Sequence, residues 1–147
     1  MRSRTIHEAH GLRTLVAVLE TGDEVESCLQ QLAASERLSA AQVSAIGAFQ
    51  EAVLTYWDWD TKEYQEIPVR EQVEVLSLNG DITLDPSGKP KLHLHTVLGR
   101  RDGSAMGGHL KSAQVRPTLE VILTEAPTHL RRRHDETTGL PLIVLDD

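Results

Sequence analysis

The sequence predicts an α+β fold, α/β sandwich-like, with a mainly antiparallel mixed sheet and one principal amphipathic helix in a single domain. Three observations carry this. Short apolar or alternating segments recur along the chain, each cut off by Gly, Pro, Asn or Asp. One segment alone, after Gly22-Asp23, has helical spacing. No repeat, low-complexity tract or Pro/Gly/Ser linker divides the 147 residues.

Leu12 to Leu19 (LRTLVAVL) is apolar and of the right length for a buried strand. From Asp23 the pattern turns helical: Val25, Cys28, Leu29 and Leu32 share a face, with Asp23, Glu24 and Glu26 in the first turn. Gln42 to Gly47 and Ala52 to Trp59 read as two strands joined by a short link. Tyr64 to Val69 reads as a third, pushed toward a sheet edge by Pro68. Val73 to Leu84 is one long strand, or two broken at the turn dipeptide Asn79-Gly80. A loop over Asp85 to Pro90 leads into the strand Lys91 to Leu98. Asp102-Gly103 marks a hairpin tip, Leu119 to Thr124 supplies a central strand, and Leu142 to Leu145 a final short one.

A formal net charge of −7 argues against autonomous nucleic-acid binding, because phosphate neutralisation supplies much of the affinity of such proteins. The one dense basic run, His129-Leu-Arg-Arg-Arg-His134, is followed at once by Asp135 and Glu136 and reads as a solvated strand end or turn. No apolar run offers a membrane span, and the N-terminal residues lack a secretory apolar core. The single cysteine, Cys28, falls in the helical stripe and suits a reducing cytoplasm, as core filler rather than nucleophile. The glycines form neither a dinucleotide fingerprint nor a phosphate loop, so no nucleotide cofactor is expected. The serines lack a nucleophile elbow.

The histidines carry the chemistry. His7, His10, His129 and His134 lie in polar stretches and read as surface residues. His93 and His95 alternate with Leu92, Leu94 and Val97, so on a strand both imidazoles project from one face. Neutral imidazole ligates zinc, iron, nickel or copper, zinc being the expected ion. His109, in Met106-Gly-Gly-His-Leu110, is the third candidate. A strict two-residue loop at Asp102-Gly103 would pair it with Thr96 and turn it to the wrong face. A three-residue loop, or a bulge at Gly107-Gly108, would pair it with Val97 and set it diagonal to His95. The competing possibility is that the three imidazoles hydrogen-bond within a half-polar sheet face or a subunit interface. Three protein nitrogens on a tetrahedral ion leave one position open to water or a small-molecule ligand, which is compatible with hydrolytic or Lewis-acid chemistry without demonstrating it.

Glu120 interrupts the apolar run Leu119-Glu-Val-Ile-Leu123, where a carboxylate needs a partner. Pairing with Arg116 or another arginine is the first reading; orienting a histidine or acting as an acid/base group is the second. Glu74 reads as an outward strand residue. Trp57 and Trp59, in Tyr56-Trp-Asp-Trp59, share a strand face, better suited to core or interface packing than to stacking on a base.

Taken in order, Ser44-Ala-Ile-Gly-Ala48, Glu74-Val-Leu-Ser-Leu-Asn-Gly80, Leu92-His-Leu-His95, Asp102-Gly103, Gly107-Gly-His-Leu110 and Thr118-Leu-Glu-Val121 resemble the plant-and-prokaryote-conserved (PPC) domain. The resemblance gives one domain over residues 1–147, with a core over about 12–125 and a C-terminal extension, 126–147, in which Asp135-Glu-Thr-Thr-Gly139 also looks familiar. It implies a mainly antiparallel sheet, a homotrimer with surfaces shared between subunits, and a metal site at His93, His95 and His109. Plant relatives carry an AT-hook, an Arg-Gly-Arg-Pro element for the minor groove; this sequence has none, so a DNA-binding, transcription-associated role is the alternative rather than the first reading. A structural interaction module whose histidines serve assembly is the third.

Overall fold

The computed structural model describes residues 1–145. Nine strands and one helix follow in the order β1 (Arg2–Ala9), β2 (Leu12–Glu20), α1 (Val25–Glu36), β3 (Ala40–Asp58), β4 (Glu63–Val69), β5 (Val73–Leu84), β6 (Pro90–Gly99), β7 (Ala105–Glu125), β8 (Arg131–Asp135) and β9 (Leu140–Val144). All strands join one sheet, ordered β1-β2-β7-β3-β5-β8-β9, with β4 added to β3 and β6 bridging β5 and β7. Every pairing is antiparallel except the single β5–β8 contact at Leu84 and Arg131, which makes the sheet mixed, as the α+β reading expects.

The helix is explained by its stripe. Val25, Leu29, Leu32 and Ala33 are buried against the sheet, with Cys28 half-buried beside them. Each large apolar side chain so buried stabilises the fold by about 1.5–3 kcal/mol. The N-cap is Glu24, whose carboxylate accepts from the backbone N–H groups of Glu26 and Ser27. At the other end Arg37 takes a left-handed conformation (φ 55°) and donates its N–H to the carbonyls of Ala33 and Ala34.

Two long strands replace the shorter pieces expected here. Gln42–Gly47 and, except for Trp59, Ala52–Trp59 belong to the 19-residue β3, bent rather than broken at Gly47, where the register with both β5 and β7 shifts. A Cβ at Gly47 would lie 2.2 Å from the Thr118 carbonyl oxygen, so only glycine allows β7 to approach there. β7 runs for 21 residues and contains both the His109 segment and Leu119–Thr124. Because each is long and bent, β3 pairs with β7 along most of its length, while β5 and β6 complete a closed β3–β5–β6–β7 circuit.

Asn79-Gly80 is not a turn. It continues β5, and Gly80 lies against β6 so closely that a Cβ would come within 2.0 Å of the His93 carbonyl oxygen. β4 is an edge strand paired only with β3, in keeping with Pro68. β1, absent from the sequence reading, forms a hairpin with β2 through His10-Gly11, both at positive φ (52° and 80°), as a two-residue primed turn requires. The final strand begins two residues earlier than expected and pairs with β8. Before β8, the C-terminal segment is pinned by Glu125. Its buried carboxylate accepts from Ser39 N (2.9 Å), Ser39 Oγ (3.1 Å) and Ala40 N (3.2 Å), satisfying a charge that would otherwise be costly to bury. Among the described residues no helix is long and apolar enough to cross a membrane.

Candidate metal centre

In β6, Leu92, Leu94, Thr96 and Leu98 are buried, which turns His93, His95 and Val97 to the opposite face. The β6–β7 hairpin closes with Arg100 N–H donating to Ser104 O (2.8 Å), a three-residue tip over 101–103. In this register His95 stands directly opposite His109, and Val97 opposite Gly107. The expected diagonal offset is thus corrected to a direct pair; the expected face is right. At Gly108 a Cβ would lie 3.0 Å from the Thr55 carbonyl oxygen on β3, tighter than most such contacts.

The structure brings His93, His95 and His109 together, each with a ring nitrogen within 4.8 Å of the other two. The His93 and His95 Nε2 atoms are 3.2 Å apart. Tetrahedral zinc with bonds of about 2.0–2.1 Å requires ligand nitrogens about 3.3 Å apart, so this pair is already spaced for an ion. The electrostatics agree with the spacing. Burial, followed by the charges of His93, His95 and Lys91, lowers the His109 pKa to about 4; burial and His93 also lower that of His95. Both imidazoles are therefore held neutral, the form that ligates. Nδ1 of His109 is buried without a hydrogen-bond partner among the described residues. Such an orphan costs about 1–3 kcal/mol. The donor set fits a zinc-like ion.

Two residues that sequence reasoning did not place here complete the surroundings. Asp81, on β5, is the register partner of His93, with Oδ2 3.7 Å from Nδ1. Burial opposes its charge, but the adjoining His93 imidazole and the hydrogen bonds and charge of Arg132 hold its pKa below the ordinary value. Arg132, from the basic run, turns inward at 7% exposure; its Nη2 lies 2.9 Å from both Asp81 oxygens and 3.0 Å from His93 Nδ1. Strand alternation was the available signal, since Arg131 and Arg133 point outward on either side. Tyr64 of β4 leans on the His109 ring at a centroid distance of 5.4 Å. His93 and His109 open on a cleft of 460 Å³, with Leu92, Leu110 and, from the C-terminal hairpin, Pro141 and Leu142 in its walls.

The remaining candidates lie elsewhere. Glu120 is exposed, eleven residues beyond His109 on β7, in register with Val18 and Ile46, and does not line the cleft. Glu74 faces outward. Trp57 packs edge-on against Tyr64 at 4.9 Å, whereas Trp59 lies past the end of β3 with Lys62 Nζ 3.2 Å above its ring, so the two do not share a strand face. His7, His10, His129 and His134 are exposed, although His129 Nδ1 lies 2.7 Å from Ser39 Oγ.

Residues 6–127 match the model of the Plants and Prokaryotes Conserved (PCC) domain. Comparison with curated proteins found no match. Among solved structures, a metal-containing protein from Archaeoglobus fulgidus is 35% identical with a TM-score of 0.82, over 89% of this chain and 92% of that one. A plant- and prokaryote-conserved protein from Pyrococcus horikoshii is 28% identical (TM-score 0.84, 92% and 93% covered). A candidate DNA-binding protein from Bacteroides thetaiotaomicron is 25% identical (TM-score 0.85, 97% and 96% covered).

Proposed function

This chain belongs to the Plants and Prokaryotes Conserved (PCC) domain family, and from that premise we propose that it is a metal-binding protein whose ion, zinc, is held by His93, His95 and His109. The observation that carries the reading is the convergence of three imidazoles, two of them held neutral, around a point that opens on a cleft. The metal content of the Archaeoglobus relative supports it. A three-histidine ion keeps a position for water or a small molecule, and an ion so held supplies Lewis acidity. The chain's own part is to keep the imidazoles unprotonated and to shape the cleft that admits the ligand.

In this reading the protein is a cytoplasmic homotrimer, as the family resemblance implies. An apolar strip supports assembly: Ile122 (51% exposed), Ile46 (60%), Leu76 (56%) and Val97 (43%) lie one on each of the adjoining strands β7, β3, β5 and β6, within two register positions of one another. Exposed apolar groups in a contiguous row mark a contact surface.

Elemental analysis of purified protein beside the His93→Ala/His95→Ala double variant tests the assignment. Near one zinc per chain, lost in the variant, is expected. Metal-free wild type after growth in zinc-supplemented medium would move the histidines to a structural role.

The likeness to the Bacteroides protein raises DNA binding as a second reading. Here the net charge of −7 and the inward turn of Arg132 onto Asp81 both weaken the cationic face it needs. Binding of AT-rich duplex with a steep salt dependence would restore it.

A further inference from the structure

The family match ends at residue 127, and the β8–β9 hairpin beyond it supplies Arg132. That side chain is fully committed. Nε donates to Thr83 Oγ1 (3.2 Å), Nη1 to the Pro141 carbonyl (2.8 Å), and Nη2 to both oxygens of Asp81 (2.9 Å each). Nη2 also lies 3.0 Å from His93 Nδ1. A guanidinium can only donate, so at this contact Nδ1 of His93 must accept. The ring hydrogen is then on Nε2, 3.2 Å from Nε2 of His95, which accepts it. In that tautomer His93 has no lone pair to offer at Nε2.

Ligation through Nε2 needs the hydrogen on Nδ1 and an acceptor for it. Asp81 Oδ2, 3.7 Å from Nδ1 and anchored by the same guanidinium, is placed to be that acceptor. Which imidazole nitrogen is free for a metal is set by the hydrogen bond the other one makes. We propose that Arg132 and Asp81 form a tautomer selector for His93: Arg132 holds the idle form and Asp81 the ligating form, so a hairpin outside the matched domain governs the site. The exchange takes one proton from Nε2 and returns one to Nδ1 through solvent, with no net uptake. Both residues are positioning residues, acting through His93. The inference rests on the metal reading above.

The test uses the full chain labelled with ¹⁵N-histidine, together with zinc affinity from chelator competition. In metal-free wild type, His93 should carry its hydrogen on Nε2, moving to Nδ1 when zinc is added. Arg132→Met should move the metal-free ring toward the Nδ1–H form. Asp81→Asn should weaken zinc binding about 10–100-fold, the usual cost of losing an outer partner of a ligating histidine. Metal-free wild type with the hydrogen on Nδ1 would overturn the role of Arg132 without need of any variant, and so would Arg132→Met leaving the tautomer unchanged. Asp81→Asn binding zinc within threefold of a zinc-binding wild type would overturn the role of Asp81. A wild type that takes up no zinc sinks the metal reading instead, a separate result, and the metal-free tautomers still decide whether Arg132 sets the ring.

Discussion

His95 and His109 face each other directly across the β6–β7 pair, with ring centroids 5.2 Å apart and ring planes at 87°. Direct opposition on antiparallel strands is the closest approach two strand residues can make, and it depends on the three-residue hairpin tip at 101–103. The site therefore rests on hairpin register as well as on residue identity: a slip of one residue would turn His109 to the other face.

Because His109 is half-buried with an orphaned Nδ1, its contributions to binding and to stability should have opposite signs. If His109 is a ligand, His109→Leu should reduce zinc affinity by more than about 100-fold, beyond the range for losing an outer partner. The same change removes an unsatisfied polar atom and should stabilise the metal-free protein by about 1 kcal/mol. Chelator competition and urea unfolding of metal-free protein measure the two effects. A destabilised metal-free variant would mean that the orphaned nitrogen already has a partner in solution.

Gly80→Ala should disturb the site from behind. The added Cβ would meet the His93 carbonyl oxygen at 2.0 Å and Leu94 Cδ2 at 2.9 Å, the first of which is backbone and cannot rotate away. Overpacking of this kind costs about 1–3 kcal/mol. Here the strain falls on the peptide carrying His93, so zinc affinity should fall together with the melting temperature. Unchanged values for both would show that β5 and β6 separate freely at this point.

The same glycine shows what the sequence revealed and what it hid. Asn79-Gly80 has the composition of a turn, yet glycine is required here for a close approach between strands, and single-sequence reasoning does not distinguish the two uses. The helix, β6 and the histidine face were legible because each buries one side, which writes a period of 3.6 or 2 into the residues, and β2 because it is an apolar run of strand length. β1 was not. Its residues are mostly exposed and it joins the sheet through backbone hydrogen bonds, which leave no pattern in side-chain polarity. Arg132 was hidden for a related reason. A single inward arginine between two outward ones reads as a solvated charge run until Asp81, 51 residues away in sequence, is seen to receive it. The same long-range logic excludes Glu120 from the cleft and places Asp81 beside it.

The helix cap gives a pH prediction independent of the metal. Burial raises the Glu24 pKa, but hydrogen bonds from Ser27, Glu26 and Ala113 outweigh it and leave the pKa below its ordinary value of 4.5. A carboxylate lowered on folding adds stability that is present above 4.5 and is lost as the pH falls through the lower folded value. Glu24→Gln should therefore cost about 0.5–1 kcal/mol at pH 7, and the difference from wild type should shrink as the pH falls below 4.5. Urea midpoints from pH 7 to 3 measure it, and a difference independent of pH would show that the charge on Glu24 is not what caps the helix.

The last prediction separates the site from the assembly. Ile46 is 60% exposed and lies between Ile122 and Leu76 in the apolar strip, so Ile46→Glu removes little from the core of a single chain. Placed at a subunit contact, however, the carboxylate would be buried without a partner, a cost of several kcal/mol repeated at each copy of the interface. Light scattering coupled to size exclusion should show a trimer for wild type and a monomer for the variant, with the circular dichroism of the sheet unchanged. His93, His95 and His109 come from one chain, so the monomer should keep the three imidazoles together. Zinc retained by the monomer would show that the fold alone builds the centre. Zinc lost with the trimer would mean that a neighbouring copy completes it, and a variant that remains trimeric would mean that assembly uses another face.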